Sequence, residues 1–375
     1  VKNKNNEEEK KMKKTLALLL TLSMALGLAG CAGATDTTTA APATTTKAAA
    51  AADTTAAAAD TTAAAVDESE WEIVVVPKDA TNPWFVRMDA GVKEYAAETG
   101  LNIYQKGTPE IDATLQSQLI QDLIAAKVDA ICVVPVDPAS LEPVLKQARD
   151  AGIIVIAHEG SSLENCDYDI EAFNNADYGG FIMDNLAEAM GEEGVYTTMV
   201  ASVTNASHNE WADGGVAHQK EAYPNMTLLE AEPRVESEDN GDVAYQTAKE
   251  LLKKYPDLKG IMGTSSYDAP GIARAIAELG LTGKVFTSGT GMPADNAELL
   301  KGGSVASLTL WDPALAGKAM CSLALKMLRG EEITDNLDLG VDGYTELKFK
   351  EGSDTVFEGQ GWIVITAENV DSFGF

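Results

Sequence analysis

The sequence predicts an α/β protein of two similar lobes, each a parallel sheet flanked by helices, with a ligand cleft between them. Three observations predict it. From Trp71 onward, short apolar runs alternate with amphipathic stretches, and the first strand starts, at 72, 101, 128 and 153, lie 25 to 29 residues apart. The strand runs are unbroken Ile/Val, such as Ile73-Val74-Val75-Val76, as expected when helices cover both faces of a sheet. The alternation then begins again near residue 174, and the roughly 305 residues from Trp71 to Phe375 are enough for two such units.

Each element has a local reason. Residues 72–76 form the first strand, and 84–99 a helix stopped by Gly100. Residues 101–105 form the second strand. The next helix sets Ile111, Leu115, Leu119 and Leu123 four apart with Ile120 and Ile124 beside them, which makes one apolar stripe. Residues 128–134, 141–151 and 153–157 read as strand, helix and strand. The second run has helices at 178–190, 210–223, 243–255, 269–279 and 294–300. Its strands fall at 194–201, 226–231, 258–262, 285–288 and 305–310. Pro313 opens a long helix to 328, and 345–349 and 361–366 are strands with no helix between them. The expected N-terminal lobe is 71–173 plus about 311–342, and the C-terminal lobe 174–310 plus about 343–375.

The N-terminal segment is of another kind. Lys13 and Lys14 precede an apolar run from Leu16 to Leu28, which closes in Leu28-Ala29-Gly30-Cys31. The run is short of the ~20 residues a membrane span needs, and small residues follow it. This is the layout of a secretory signal with a lipobox: residues 1–30 are removed, translation starts at Met12, and Cys31 carries a lipid. Residues 31–70 are nearly all Ala and Thr without periodicity, an expected disordered linker. The folded part is thereby expected outside the cell, anchored to the outer face of the cytoplasmic membrane through lipid alone.

Charge excludes several partners. Residues 71–375 hold 21 Lys and Arg against 49 Asp and Glu, a surface that repels nucleic acid and anionic lipid. Cys132 and Cys321 sit in apolar patterns and Cys166 in a loop, so the three form no disulfide framework. No Cys/His spacing suggests a metal, and no cofactor is implied. Gly289-Thr290-Gly291-Met292-Pro293-Ala294 fits a dinucleotide pattern, but it falls late in the second run, and Pro293 would disturb its turn.

In open α/β sheets ligands bind beyond the carboxyl ends of the strands. Here those ends carry Lys78, Asn82, Trp84 and Phe85; His158 and Glu159; Ser207, His208 and Trp211; Thr264, Ser265, Ser266, Tyr267 and Asp268; Thr290; and Trp311 with Asp312. Three of the five tryptophans are among them. Aromatic faces beside carboxylates and hydroxyls suit a small polyhydroxylated ligand. Asp268 and Asp312 also read as helix N-caps, and Lys78 reads equally as a solvated loop lysine.

From Trp71 on, the chain resembles the periplasmic sugar-binding proteins of bacterial ABC importers (the type I periplasmic-binding-protein fold), closest to the autoinducer-2-binding and rhamnose-binding receptors. The resemblance rests on Val76-Pro77-Lys78 with Pro83-Trp84-Phe85, on Ile261 to Ala275, on Leu310-Trp311-Asp312 with Gly317-Lys318, and on the ending Asn369 to Phe375. It implies a monomeric receptor, not an enzyme, that closes on autoinducer-2 or a similar small sugar and works with a permease and its ATPase. Lys78 matches a ligand-contacting lysine. Glu159 stands for an aspartate, Ser207-His208 for an Asp-Gln pair, and Thr264 and Ser266 for a proline and an alanine. The implied ligand set is Lys78, Trp84, Phe85, Glu159, Ser207, His208, Thr264, Ser266, Asp268, Trp311 and Asp312. A rhamnose- or pentose-type receptor, a sensory subunit for a membrane kinase, and an exported carbohydrate enzyme using Glu159 and Asp268 are the alternatives.

Overall fold

Residues 67–375 are described in a computed structural model of the chain. The expected signal, the lipidated Cys31 and nearly all of the expected linker lie outside the described residues.

The first run gives β1 (Glu72–Val76), α1 (Pro83–Thr99), β2 (Asn102–Gln105), α2 (Ala113–Ala126), β3 (Ala130–Val133), α3 (Pro138–Asp150), β4 (Ile154–His158) and β5 (Tyr168–Glu171). The second gives α4 (Asn175–Met190), β6 (Gly194–Val200), α5 (Ala206–Ala222), β7 (Met226–Leu228), β8 (Arg234–Glu236), α6 (Gly241–Lys254), β9 (Leu258–Gly263), α7 (Asp268–Glu278), β10 (Phe286–Gly289), α8 (Pro293–Lys301) and β11 (Ser307–Trp311). Then come α9 (Pro313–Leu328), β12 (Lys348–Phe349), β13 (Val356–Glu358) and β14 (Trp362–Ile365). Side-chain caps start the helices where the sequence allows: Asn82, Asp112, Asp137, Asn174, Asn205, Asn240 and Asp312 each accept a backbone N–H of the first turn.

Two sheets result, one per lobe. Their strand orders are β12-β13-β5-β4-β3-β1-β2 and β14-β11-β10-β9-β6-β7, with β8 also pairing β6. Pairing is parallel except for β12 with β13 and β14 with β11. The central strands are buried along their length, as their unbroken apolar runs require.

Three short strands, β5, β8 and β13, are additions to the sequence expectation. β13, pairing β5 and β12, also corrects the last lobe boundary. Lys348–Phe349 and Val356–Glu358 pair into the first sheet, beside β5, so the final change of sheet falls between Glu358 and Trp362 rather than near 342. Register decides this: Val356, Phe357 and Glu358 lie opposite Asp169, Ile170 and Glu171. Helix–helix contact is closest where a glycine permits it. A Cβ on Gly179 of α4 would lie 1.9 Å from the carbonyl oxygen of Trp211 on α5, so Gly179 lets the two backbones touch and fixes the height of Trp211.

Candidate functional site

The carboxyl ends of the two sheets meet at a small cavity lined by Lys78, Asn82, Trp84, Phe85 and Glu159 from the first lobe, Trp311 at the crossing, and His208, Trp211, Asp239, Thr264, Ser266 and Thr290 from the second.

Lys78 leaves the end of β1 and meets Glu159, just past β4, at 2.6 Å; their side chains are 4% and 3% exposed. Glu159 holds φ +57°, a left-handed turn that brings its carboxylate off the strand axis. The Ser207 hydroxyl, from the second lobe, donates to the same Glu159 oxygen at 3.3 Å. The ion pair therefore also contacts the opposite lobe.

The aromatic walls are tied from behind. Trp311 donates its Nε1 proton to His158 Nε2 at 3.1 Å, and Trp211 donates to Asn175 Oδ1 at 2.7 Å. Trp84 and Trp311 meet edge to face at 4.7 Å between centroids, and Trp211 meets Trp311 at 5.5 Å. Trp84 Nε1 is buried with no partner among the described residues. His158 also hydrogen-bonds the Ile170 carbonyl through Nδ1. With Nε2 accepting, the ring is the neutral Nδ1–H form, and burial lowers its pKa accordingly. His208 is neutral for the same reason, with burial and then the charge of Lys78 holding its pKa well below the ordinary value. Its Nδ1 accepts from the Ala201 N–H, so Nε2 carries the proton as a donor in the cavity wall.

The hydroxyl wall is similarly oriented. Tyr178 spends its proton on the Thr309 carbonyl, 2.6 Å away, so the Thr290 hydroxyl donates to Tyr178 at 2.9 Å and keeps its lone pairs free. The Thr264 hydroxyl donates to the Met199 carbonyl at 3.1 Å.

Eight of the eleven expected residues line the cavity: Lys78, Trp84, Phe85, Glu159, His208, Thr264, Ser266 and Trp311. Three stand behind it. Ser207 supports Glu159 as described. Asp268 turns back onto its own helix start, accepting the Thr264 and Ser265 N–H groups at 2.9 Å each. Asp312 caps α9 and holds Arg87 through two hydrogen bonds of 2.9 and 2.7 Å. The carboxylate pairing of Glu159 with Asp268 that an enzyme would need is therefore not assembled in the cavity. Asn82, Trp211 and Thr290, noted at strand ends, do line it. Asp239 was missed, because β8 gives no apolar signal and so no strand end was drawn before it. The dinucleotide-like turn after β10 instead places Thr290 in the wall.

A model of the periplasmic binding protein domain matches residues 73–332. The chain belongs to the periplasmic binding protein family. As a periplasmic binding protein it is 26% identical over 258 residues to the D-allose-binding periplasmic protein of Escherichia coli (strain K12), covering 66% of this chain and 81% of that one. It is also 26% identical over 292 residues to the D-ribose/D-allose-binding protein of Pseudomonas aeruginosa, covering 73% and 88%. Among solved structures it shares the fold of LsrB from Clostridium saccharobutylicum in complex with AI-2 at 20% identity, with a TM-score of 0.75 and coverage of 81% and 100%. A Clostridium phytofermentas ABC transporter solute binding protein with bound L-rhamnose gives 0.71 at 19% identity, covering 80% and 97%. The curated relatives are binding proteins rather than enzymes. Among the described residues, no helix of this periplasmic binding protein is long and apolar enough to cross a membrane.

Proposed function

We propose that the protein is the solute receptor of an ABC importer, tethered through lipid on Cys31, which captures a small polyhydroxylated ligand as its lobes close and presents it to a permease driven by an ATPase. The cavity carries this reading. Two lobes contribute opposite walls of it, and carboxylate, ammonium, imidazole and hydroxyl groups alternate with three indole faces. Hinge closure around a ligand is the motion such an arrangement makes. The sugars named for the curated relatives, D-allose and D-ribose, supply the first ligands to try.

Autoinducer-2 is the second reading. The fold likeness to LsrB supports it, as do Lys78 and Glu159. The neutral Ser207-His208 pair, in place of an acid and an amide, weighs against it. Calorimetric titration of the full chain, cleared of co-purified ligand, decides between them. One-to-one binding of D-ribose, D-allose or L-rhamnose without autoinducer-2 supports the simple-sugar reading, and the reverse supports the second. No heat from any of them sinks both. The anchor has its own test: the mass of the mature N-terminus should show diacylglyceryl-Cys31.

A further inference from the structure

We propose that the cleft selects its ligand by charge and prefers one bearing an ammonium group, an amino sugar or similarly small cationic polyol, with Asp239 as its counter-ion. The inference rests on the small-polyol reading above and specifies the charge.

The cavity holds two carboxylates, Glu159 and Asp239, and one cation, Lys78. That cation is already bound to Glu159 at 2.6 Å, and both nearby histidines are neutral. Asp239 accepts a hydrogen bond from the Ser265 hydroxyl, but it joins no ion pair among the described residues. Burial therefore raises its pKa, an effect that Lys78 and the Ser265 bond only oppose. A half-buried carboxylate without an ion-pair partner is stabilised by an incoming cation. An open pocket that shares Asp239 with the cavity repeats the sign. Asp79, Glu110, Glu238, Asp242 and Asp295 line it with Arg274, and Arg274 is itself paired with Asp242 at 2.8 Å. A cleft lined by one sign of charge focuses its field, drawing cations in and turning anions away. The indole walls add to this, since aromatic faces attract ammonium groups. The unpartnered Trp84 Nε1 still asks for an acceptor, which a hydroxyl of the same ligand supplies.

Matched sugar sets test this by calorimetry on the full chain at neutral pH: galactose, galactosamine and galacturonate, and the corresponding glucose set. The amino member should bind about tenfold more tightly than the hydroxyl member, as a charge-assisted hydrogen bond replaces a neutral one, and the acid should not bind. Asp239→Asn should bring amino and hydroxyl members within about threefold of each other. Added salt should weaken only the amino sugar in wild type, a readout that stands even if the variant fails to fold. Hydroxyl sugars binding as well as or better than their amino partners would overturn the charge preference and leave the small-sugar reading intact. An amino preference that survives Asp239→Asn in a folded protein would remove Asp239 as its source, and no binding in either set would remove the preference along with a hexose ligand, while D-ribose or L-rhamnose binding would still preserve the receptor reading.

Discussion

Lys78 and Glu159 form a buried ion pair in the cleft that Ser207 of the second lobe also contacts. Removing one partner of a buried ion pair costs about 3–5 kcal/mol, mostly because the other charge is left buried and alone. Lys78→Ala should therefore weaken affinity for whichever sugar binds the wild type by roughly a hundredfold or more. Calorimetry checks it, and affinity within threefold of wild type would take Lys78 out of the site. Asp268 gives a second prediction, of a different kind. Burial pushes its carboxyl up to about 7 from 3.8, against hydrogen bonds from Ser237, Ser265 and Thr264 that oppose the shift, and its Oδ1 has no partner among the described residues. The folded protein thus holds the proton more tightly than the unfolded chain does. Stability from this group is full below about pH 4 and is lost as pH rises toward 7. Asp268→Asn cannot lose that share, so the variant should gain melting temperature relative to wild type between pH 5 and pH 8. A constant difference across that range would show that Asp268 ionises normally. Lys78 and Asp268 both stand out in the sequence as strand-end polar groups, but only the fold separates the one facing the cavity from the one facing its own helix.

At the scale of elements, the sequence was legible wherever an apolar run was long. β1 and α9 fall at the residues expected, and the other long helices and central strands lie within a few positions. The exception is α5, which starts at Ala206 instead of 210. Asn205 supplies its cap, a signal present in the sequence, and the consequence is that Ser207 and His208 sit on a helical first turn. The short strands β5, β8 and β13 were not legible. Tyr168-Asp169-Ile170-Glu171 and Arg234-Val235-Glu236 carry as much charge as apolar surface, and their strand state comes from pairing with neighbours distant in sequence. Asp239 went unseen with β8. Asp312 tests how far element-level roles separate from ligand contact. It caps α9 and grips Arg87 of α1, so Asp312→Ala should lower unfolding stability by about 1–2 kcal/mol. Sugar affinity should stay within threefold, because its carboxylate lies outside the cavity. A large loss of affinity at unchanged stability would place Asp312 back among the ligand contacts.

On the proposed reading the molecule must link a small cavity to the closure of two lobes, and Glu210 is placed to do so. It lies on α5 of the second lobe and is absent from the cavity wall. Its Oε1 accepts from Ser161, just past Glu159 in the first lobe, at 2.7 Å. Its Oε2 accepts from Asn175 at 2.7 Å and faces Lys350, beside β12 of the first lobe, at 3.5 Å. Asn175 in turn holds the Trp211 indole, which does line the cavity. One carboxylate thus joins the two lobes on one side and orients an aromatic wall on the other. Hydrogen bonds to a charged group contribute about 1.5–3 kcal/mol, and they count toward affinity when the lobes must close to make them. Glu210→Ala should therefore weaken sugar binding by about tenfold or more with no group in contact with the ligand removed. The loss should appear mainly as faster release, since the open form that meets the ligand is unaltered. Stopped-flow tryptophan fluorescence reads both rates. An affinity within twofold of wild type would mean that closure is driven by the cavity alone and that the Glu210 contacts only accompany it.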